Sequence, residues 1–166
     1  LFSGNPNPAN TNTGTGYSVA TNGRNYTVNE GILMTDALRP QLQTLADRYA
    51  EQTGGNLRIT SGYRPPSRQA SAMYDLIQNK GTTYVRNLYA NKGAVNEILT
   101  AYANGGQASM TRAIEGQVDR GVYISSHLRS RALDTGTDAN FGVLQNIVRD
   151  MGGTVANEGN HFHIQF

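Results

Sequence analysis

The chain has no cysteine. It can form no disulfide and offers no thiolate, so any bound metal must be held by imidazole and carboxylate groups, and the redox compartment is not written in the sequence. Long apolar runs are missing as well. None approaches the roughly 18 residues that a membrane-crossing helix needs, and no basic segment precedes an apolar stretch in the manner of a signal peptide. An excess of one charge is absent too: fourteen Lys and Arg against twelve Asp and Glu leave a formal charge of +2. That is too little for the cationic footprint of a nucleic-acid-binding protein, although slight basicity suits contact with an anionic wall polymer. The start at Leu1 suggests a processed product or a domain cut from a longer protein. With 166 residues the chain is long enough for one domain with a real core.

What the chain does have is a concentration of histidine. All three histidines fall in its last forty residues, in Ser125-Ser126-His127-Leu128-Arg129-Ser130-Arg131-Ala132-Leu133-Asp134 and Glu158-Gly159-Asn160-His161-Phe162-His163. A catalytic zinc ion takes three protein ligands, commonly imidazole and carboxylate, and keeps a fourth position open. His127, Asp134 and one of the C-terminal histidines would fill those three. Side chains two apart in a strand share a face, so His161 and His163 would look toward one spot, where one suffices as ligand. Any lone histidine is more often structural; three histidines and an aspartate at this spacing reverse that weighting. Glu158, three residues before His161, is placed to serve as general base.

These segments resemble the zinc D-alanyl-D-alanine metallopeptidases, a family that includes cell-wall dipeptidases and phage endopeptidases and shares its fold with the Hedgehog signalling domain. The family pattern Ser-x-His-x-x-Gly-x-Ala-x-Asp is met by Ser125, His127, Ala132 and Asp134, with Ser130 in place of the glycine. A third segment, Leu57-Arg58-Ile59-Thr60-Ser61-Gly62-Tyr63-Arg64-Pro65, looks like the family's strand ending in a Ser-Gly-Tyr-Arg turn. The resemblance spans Leu57 to Phe166 and implies zinc held by His127, Asp134 and a C-terminal histidine. Under a His-x-His pattern the third ligand is His163 and His161 acts beside it with Glu158. Under a Glu-x-x-His pattern it is His161. The His-Phe-His-Ile run favours His163. Arg64 is implied to point into the site, where a guanidinium stabilises a developing oxyanion or holds the substrate.

Periodicity supplies the framework. The first thirty-four residues, dense in Gly, Asn, Pro and Thr, read as an arm or linker, with short strands at Tyr17 to Val19 and Tyr26 to Val28 if they pack on the domain. Leu38, Leu42, Leu45, Ala46 and Tyr49 recur at helical spacing, with Thr35 as cap and Pro40 in the first turn. A strand from Leu57 to Thr60 and a helix from Ser67 to Gln78 follow. Residues 82–120 read as an inserted helical lobe broken at Gly93 and at Gly105-Gly106, its apolar positions being core. Short strands are expected at Val122 to Ser125 and Ala132 to Asp134, then a helix from Phe141 capped by Asp138, and a hairpin of Thr154 to Ala156 with His161 to Phe166.

This order predicts an α+β domain over 35–166, a small antiparallel sheet carrying the metal and packed against helices. The resemblance implies a zinc peptidase of the carboxypeptidase or endopeptidase (endolysin) type, acting on a stem peptide or cross-link of bacterial peptidoglycan. Its place would be extracellular, periplasmic or on a virion. A zinc-bound but non-catalytic binding module, as in the Hedgehog branch, and a virion structural domain are the alternative readings.

Overall fold

The computed structural model describes residues 16–166, so the first fifteen residues of the expected arm lie outside the described residues. The fold is α+β. In chain order it comprises β1 (Tyr17–Val19), β2 (Tyr26–Val28), β3 (Leu33–Thr35), α1 (Leu38–Thr53), β4 (Leu57–Ser61), α2 (Pro66–Lys80), α3 (Thr82–Leu88), α4 (Lys92–Asp119), a 3-10 turn (Ser126–Arg129), β5 (Ala132–Thr135), α5 (Phe141–Asp150), β6 (Thr154–Asn157) and β7 (Phe162–Gln165). The chain divides into two compact units, one running to Tyr63 and resuming at Ser130, the other covering Arg64–Arg129.

The first unit is built on a five-stranded sheet of order β2-β4-β5-β7-β6, with β1 and β3 forming a separate antiparallel pair. All its ladders are antiparallel except β2 with β4, which run parallel. That pair is the departure from the expected antiparallel sheet, and it draws in Tyr26–Val28, residues that composition assigns to the arm. Alternation along the strands sorts the two faces. Leu57, Ile59, Leu133, Phe162 and Ile164 turn toward Leu38, Leu42, Leu45, Ala46 and Tyr49 of α1 and Leu144, Ile147 and Val148 of α5, and together they form one core. Asp134 and His163, between those apolar positions in sequence, face the other way.

Helix ends show where local signals were shared differently. Thr35 ends β3 rather than opening α1, yet its Oγ1 accepts the Leu38 N–H at 3.2 Å, so it still satisfies a free donor of the first turn. Asn140, not Asp138, caps α5, accepting the Val143 N–H at 3.1 Å. Asp138 is instead paired with Arg58 at 2.8 Å. On the outer side of α1, Arg24 Nε donates to Asp47 Oδ1 at 3.0 Å, and this bond, aided by donors on Asn25 and Gln43, holds the Asp47 carboxyl well below the usual carboxylate range.

The second unit is helical and has its own core of Ala70, Met73, Ile77, Val85, Val95, Ile98, Leu99, Met110 and Ile114, with Ile124 and Leu128. It is wider than the expected 82–120 insertion, because α2 supplies one wall. Pro66 starts α2 at its first position, where a missing N–H costs least. Asn91 caps α4 by accepting the Ala94 N–H at 3.0 Å, which places the break before Gly93 rather than on it. The break at Gly105 and Gly106 is real: both leave helical backbone, Gly106 at φ 64°. The two arms of α4 then fold back on each other, Gln117 Nε2 donating to Ala94 O at 2.9 Å and Arg120 to Glu97 at 3.0 Å. Residues 122–125, expected as a strand, are irregular and Ser126–Arg129 is a 3-10 turn. Val122 and Tyr123 pack on the helical core instead of finding a strand partner.

Candidate metal centre

The carboxylate comes from β5. This strand is buried along its whole length, so Asp134 could be accommodated only with partners for its oxygens. Its neighbour across the ladder is His163 of β7, and His163 Nδ1 lies 2.9 Å from Asp134 Oδ1. On its other side Asp134 pairs with Ser61, the end of β4. The row Ser61, Asp134, His163 therefore crosses three strands on the face opposite the apolar core.

The turn leading into β7 adds two of the expected residues. The Glu158 N–H donates to His161 O at 3.0 Å, closing the β6–β7 hairpin. That closure places His161 Nε2 2.8 Å from Glu158 Oε2 and 3.7 Å from Asp134 Oδ2. Nδ1 of the same ring is 2.6 Å from Asn160 Oδ1. Asn160 as partner of His161 was not foreseen. Its only signal in the sequence is adjacency.

His127 is positioned by the 3-10 turn. Its backbone N–H is accepted by Ser125 Oγ at 3.3 Å, and Ser125 O accepts the Leu128 N–H at 3.1 Å. The imidazole is buried. Arg64 lies three residues beyond the end of β4, and its backbone N–H donates to His127 O at 3.3 Å. Gly62 is dictated by close approach. A Cβ there would clash with Leu33 O, the oxygen that accepts the Tyr63 N–H at 2.8 Å.

His127, Asp134 and His163 form a group that could hold a metal ion: each offers a ligand atom, and these atoms all lie within 4.8 Å of one another. Ligands of a tetrahedral zinc at ordinary bond lengths are roughly 3.4 Å apart. The donors are two imidazoles and a carboxylate, and the chain has no thiolate to add. His163 belongs to the group; His161 has Glu158 and Asn160 as its neighbours instead.

The segment between His127 and Asp134 contains one residue in the left-handed region. Ser130, standing where the family pattern has glycine, adopts φ 59°. A left-handed residue with a Cβ costs about 1–2 kcal/mol, offset in part by the greater freedom that glycine has when unfolded. Ser130→Gly is therefore expected to raise stability by up to about 1 kcal/mol, and Ser130→Val, β-branched, to lower it by at least that much. Urea denaturation of both variants checks this. Equal midpoints for parent and Ser130→Gly would show that the serine side chain compensates its own strain.

No family model, no curated protein and no solved structure matches this chain, so the site stands on its own geometry and on the motifs that compose it.

Proposed function

We propose that this chain is a zinc-dependent peptidase that hydrolyses peptide bonds in bacterial cell-wall peptidoglycan, in a stem peptide or a cross-link. The observation that carries the reading is the convergence of His127, Asp134 and His163 within ligand distance of one another, with the Glu158–His161 pair at the edge of Asp134. A purely structural cluster of these residues would not need a second carboxylate and a third imidazole beside it. When bound, zinc supplies Lewis acidity toward the scissile carbonyl and lowers the pKa of water toward neutrality.

The chain's own residues take the remaining roles. Glu158, half exposed and 2.8 Å from His161, is the general base that accepts a proton from the attacking water, and His161 orients its carboxylate and shares the charge. Proton return to the leaving amine uses the same pair. Arg64 stabilises the oxyanion with a guanidinium that stays charged at any physiological pH. Asp134 and His163 stand 2.9 Å apart across the ladder, so two of the three proposed donors are already side by side.

Digestion of purified muropeptides by the zinc-loaded protein tests this directly. Mass spectrometry should show new amino and carboxyl termini at a peptide bond, and His161→Ala should keep its zinc while losing cleavage. Intact muropeptides after incubation with zinc-replete protein would favour a binding module over an enzyme. Loss of zinc from His161→Ala with retention in His163→Ala would reassign the third ligand to the Glu-x-x-His register.

A further inference from the structure

β4 breaks its alternation where it reaches Asp134. Leu57 and Ile59 are buried in the core, and a regular strand would put Ser61 on their side of the sheet. The register differs. Ile59 is opposite Thr135 and Ser61 is opposite Asp134, so β4 advances two residues while β5 advances one. Thr60, between them, has no counterpart in that register. An extra residue of this kind is a bulge, and it re-aims the side chains that follow it. Ser61 therefore shares the face of Asp134, on the opposite flank of that carboxylate from His163.

The bulge is anchored at both ends. Before it, Arg58 O accepts the Gly136 N–H at 3.0 Å and the Thr135 hydroxyl at 2.9 Å, and Ile59 O accepts the Asn29 N–H at 2.9 Å. After it, the Tyr63 N–H donates to Leu33 O at 2.8 Å, an approach that Gly62 admits because it has no Cβ. Ser61 is the last residue of β4 that pairs with β5. Its place beside Asp134 is thus set by backbone bonds on either side.

A short donor is the useful group at this position. Directly opposed residues on neighbouring strands have Cβ atoms about 4.5–5.5 Å apart, a span that a serine hydroxyl and a carboxylate oxygen can close with a hydrogen bond. Asp134 needs such donors, because its side chain is 5% exposed and an ionised carboxylate accepts about four hydrogen bonds. His163 Nδ1 lies 2.9 Å from Oδ1, whereas His161 Nε2, at 3.7 Å from Oδ2, is beyond hydrogen-bond range. We propose that Ser61 is a positioning residue of the metal centre: its hydroxyl donates to the Asp134 carboxylate and holds it charged and oriented for the ion. This role presupposes the zinc proposed for His127, Asp134 and His163, and Ser61 acts on it only through Asp134. Hydrogen-bond partners of a ligating carboxylate are typically worth roughly 10–100-fold in metal affinity.

Zinc affinity of the full chain, measured by competition with a chromophoric chelator, tests this role. Ser61→Ala should bind zinc roughly 10–100-fold more weakly than the parent. Ser61→Thr keeps the hydroxyl on a side chain that suits a strand and should restore most of the affinity. Thr60→Val, which removes the neighbouring hydroxyl at nearly constant volume, should bind as the parent does. Circular dichroism and the melting temperature of the metal-free proteins check that each variant is folded. Parental affinity in Ser61→Ala, an equal loss in Ser61→Thr, or the same loss in Thr60→Val would overturn the role of Ser61 and leave the zinc reading standing. A folded parent that binds no zinc would overturn that reading, and this role with it.

Discussion

Asp134→Ala and His127→Ala should each strip the protein of most of its metal. The expected parent holds a single zinc, and a three-ligand site that loses one donor keeps only two, too few to retain zinc through dialysis against a chelator. Asp134→Ala has a second expected effect. Its carboxylate is 5% exposed and pairs with His163 at 2.9 Å, so truncation leaves a part-buried imidazole without that partner, a loss of about 1–3 kcal/mol. Asp134→Asn keeps a hydrogen-bonding side chain of the same size and separates the two effects: it should fold near the parent's stability and still bind zinc poorly. Elemental analysis alongside thermal unfolding reads both. Full zinc content in His127→Ala and Asp134→Asn together would remove the metal reading.

The other large effect concerns Arg64. Arg64→Lys is expected to fold and to hold zinc as the parent does, yet to cleave muropeptides about 100-fold more slowly, since one well-placed oxyanion donor is typically worth that much and an ammonium does not reproduce the planar fork of a guanidinium. The backbone argues for the folding half of this prediction. The Arg64 N–H that donates to His127 O is unchanged by the side-chain substitution, so this backbone bond should persist. Turnover measured at saturating substrate distinguishes transition-state loss from weakened binding. A parental rate in zinc-loaded Arg64→Lys would leave Arg64 with no part in the chemistry.

Much of this arrangement was legible in residue order because the relevant interactions are local. Leu38, Leu42, Leu45, Ala46 and Tyr49 repeat with helical period, and they are the buried face of α1. The alternation of Phe162, His163 and Ile164 assigns the imidazole to the face away from the core, and the burial along β7 follows it. The spacing of His127 and Asp134 suits a metal segment, and both belong to the group that could hold an ion. The position where the family pattern has glycine, taken here by Ser130, has left-handed backbone, φ 59°.

Other features depend on which segments meet, and no local pattern encodes that. Tyr26–Val28 joins β4 in parallel because β4 presents a free edge to it, a fact about a strand some thirty residues away. Asp138 looked like a helix cap and became the partner of Arg58, because tertiary packing delivered a guanidinium that sequence could not announce. Residues 122–125 had strand character but pair with no strand among the described residues, and a strand exists only as a member of a ladder. The C-terminal histidines show the division most clearly. Sequence alone determined that two imidazoles and Glu158 would crowd one end of the chain, through alternation and spacing. Only the tertiary structure decided their company: the register of β5 against β7 set Asp134 opposite His163, and the hairpin turn gave His161 to Glu158. A one-residue slip of that register would have exchanged every face, and the register is held by apolar contacts on the far side of the sheet from the site itself.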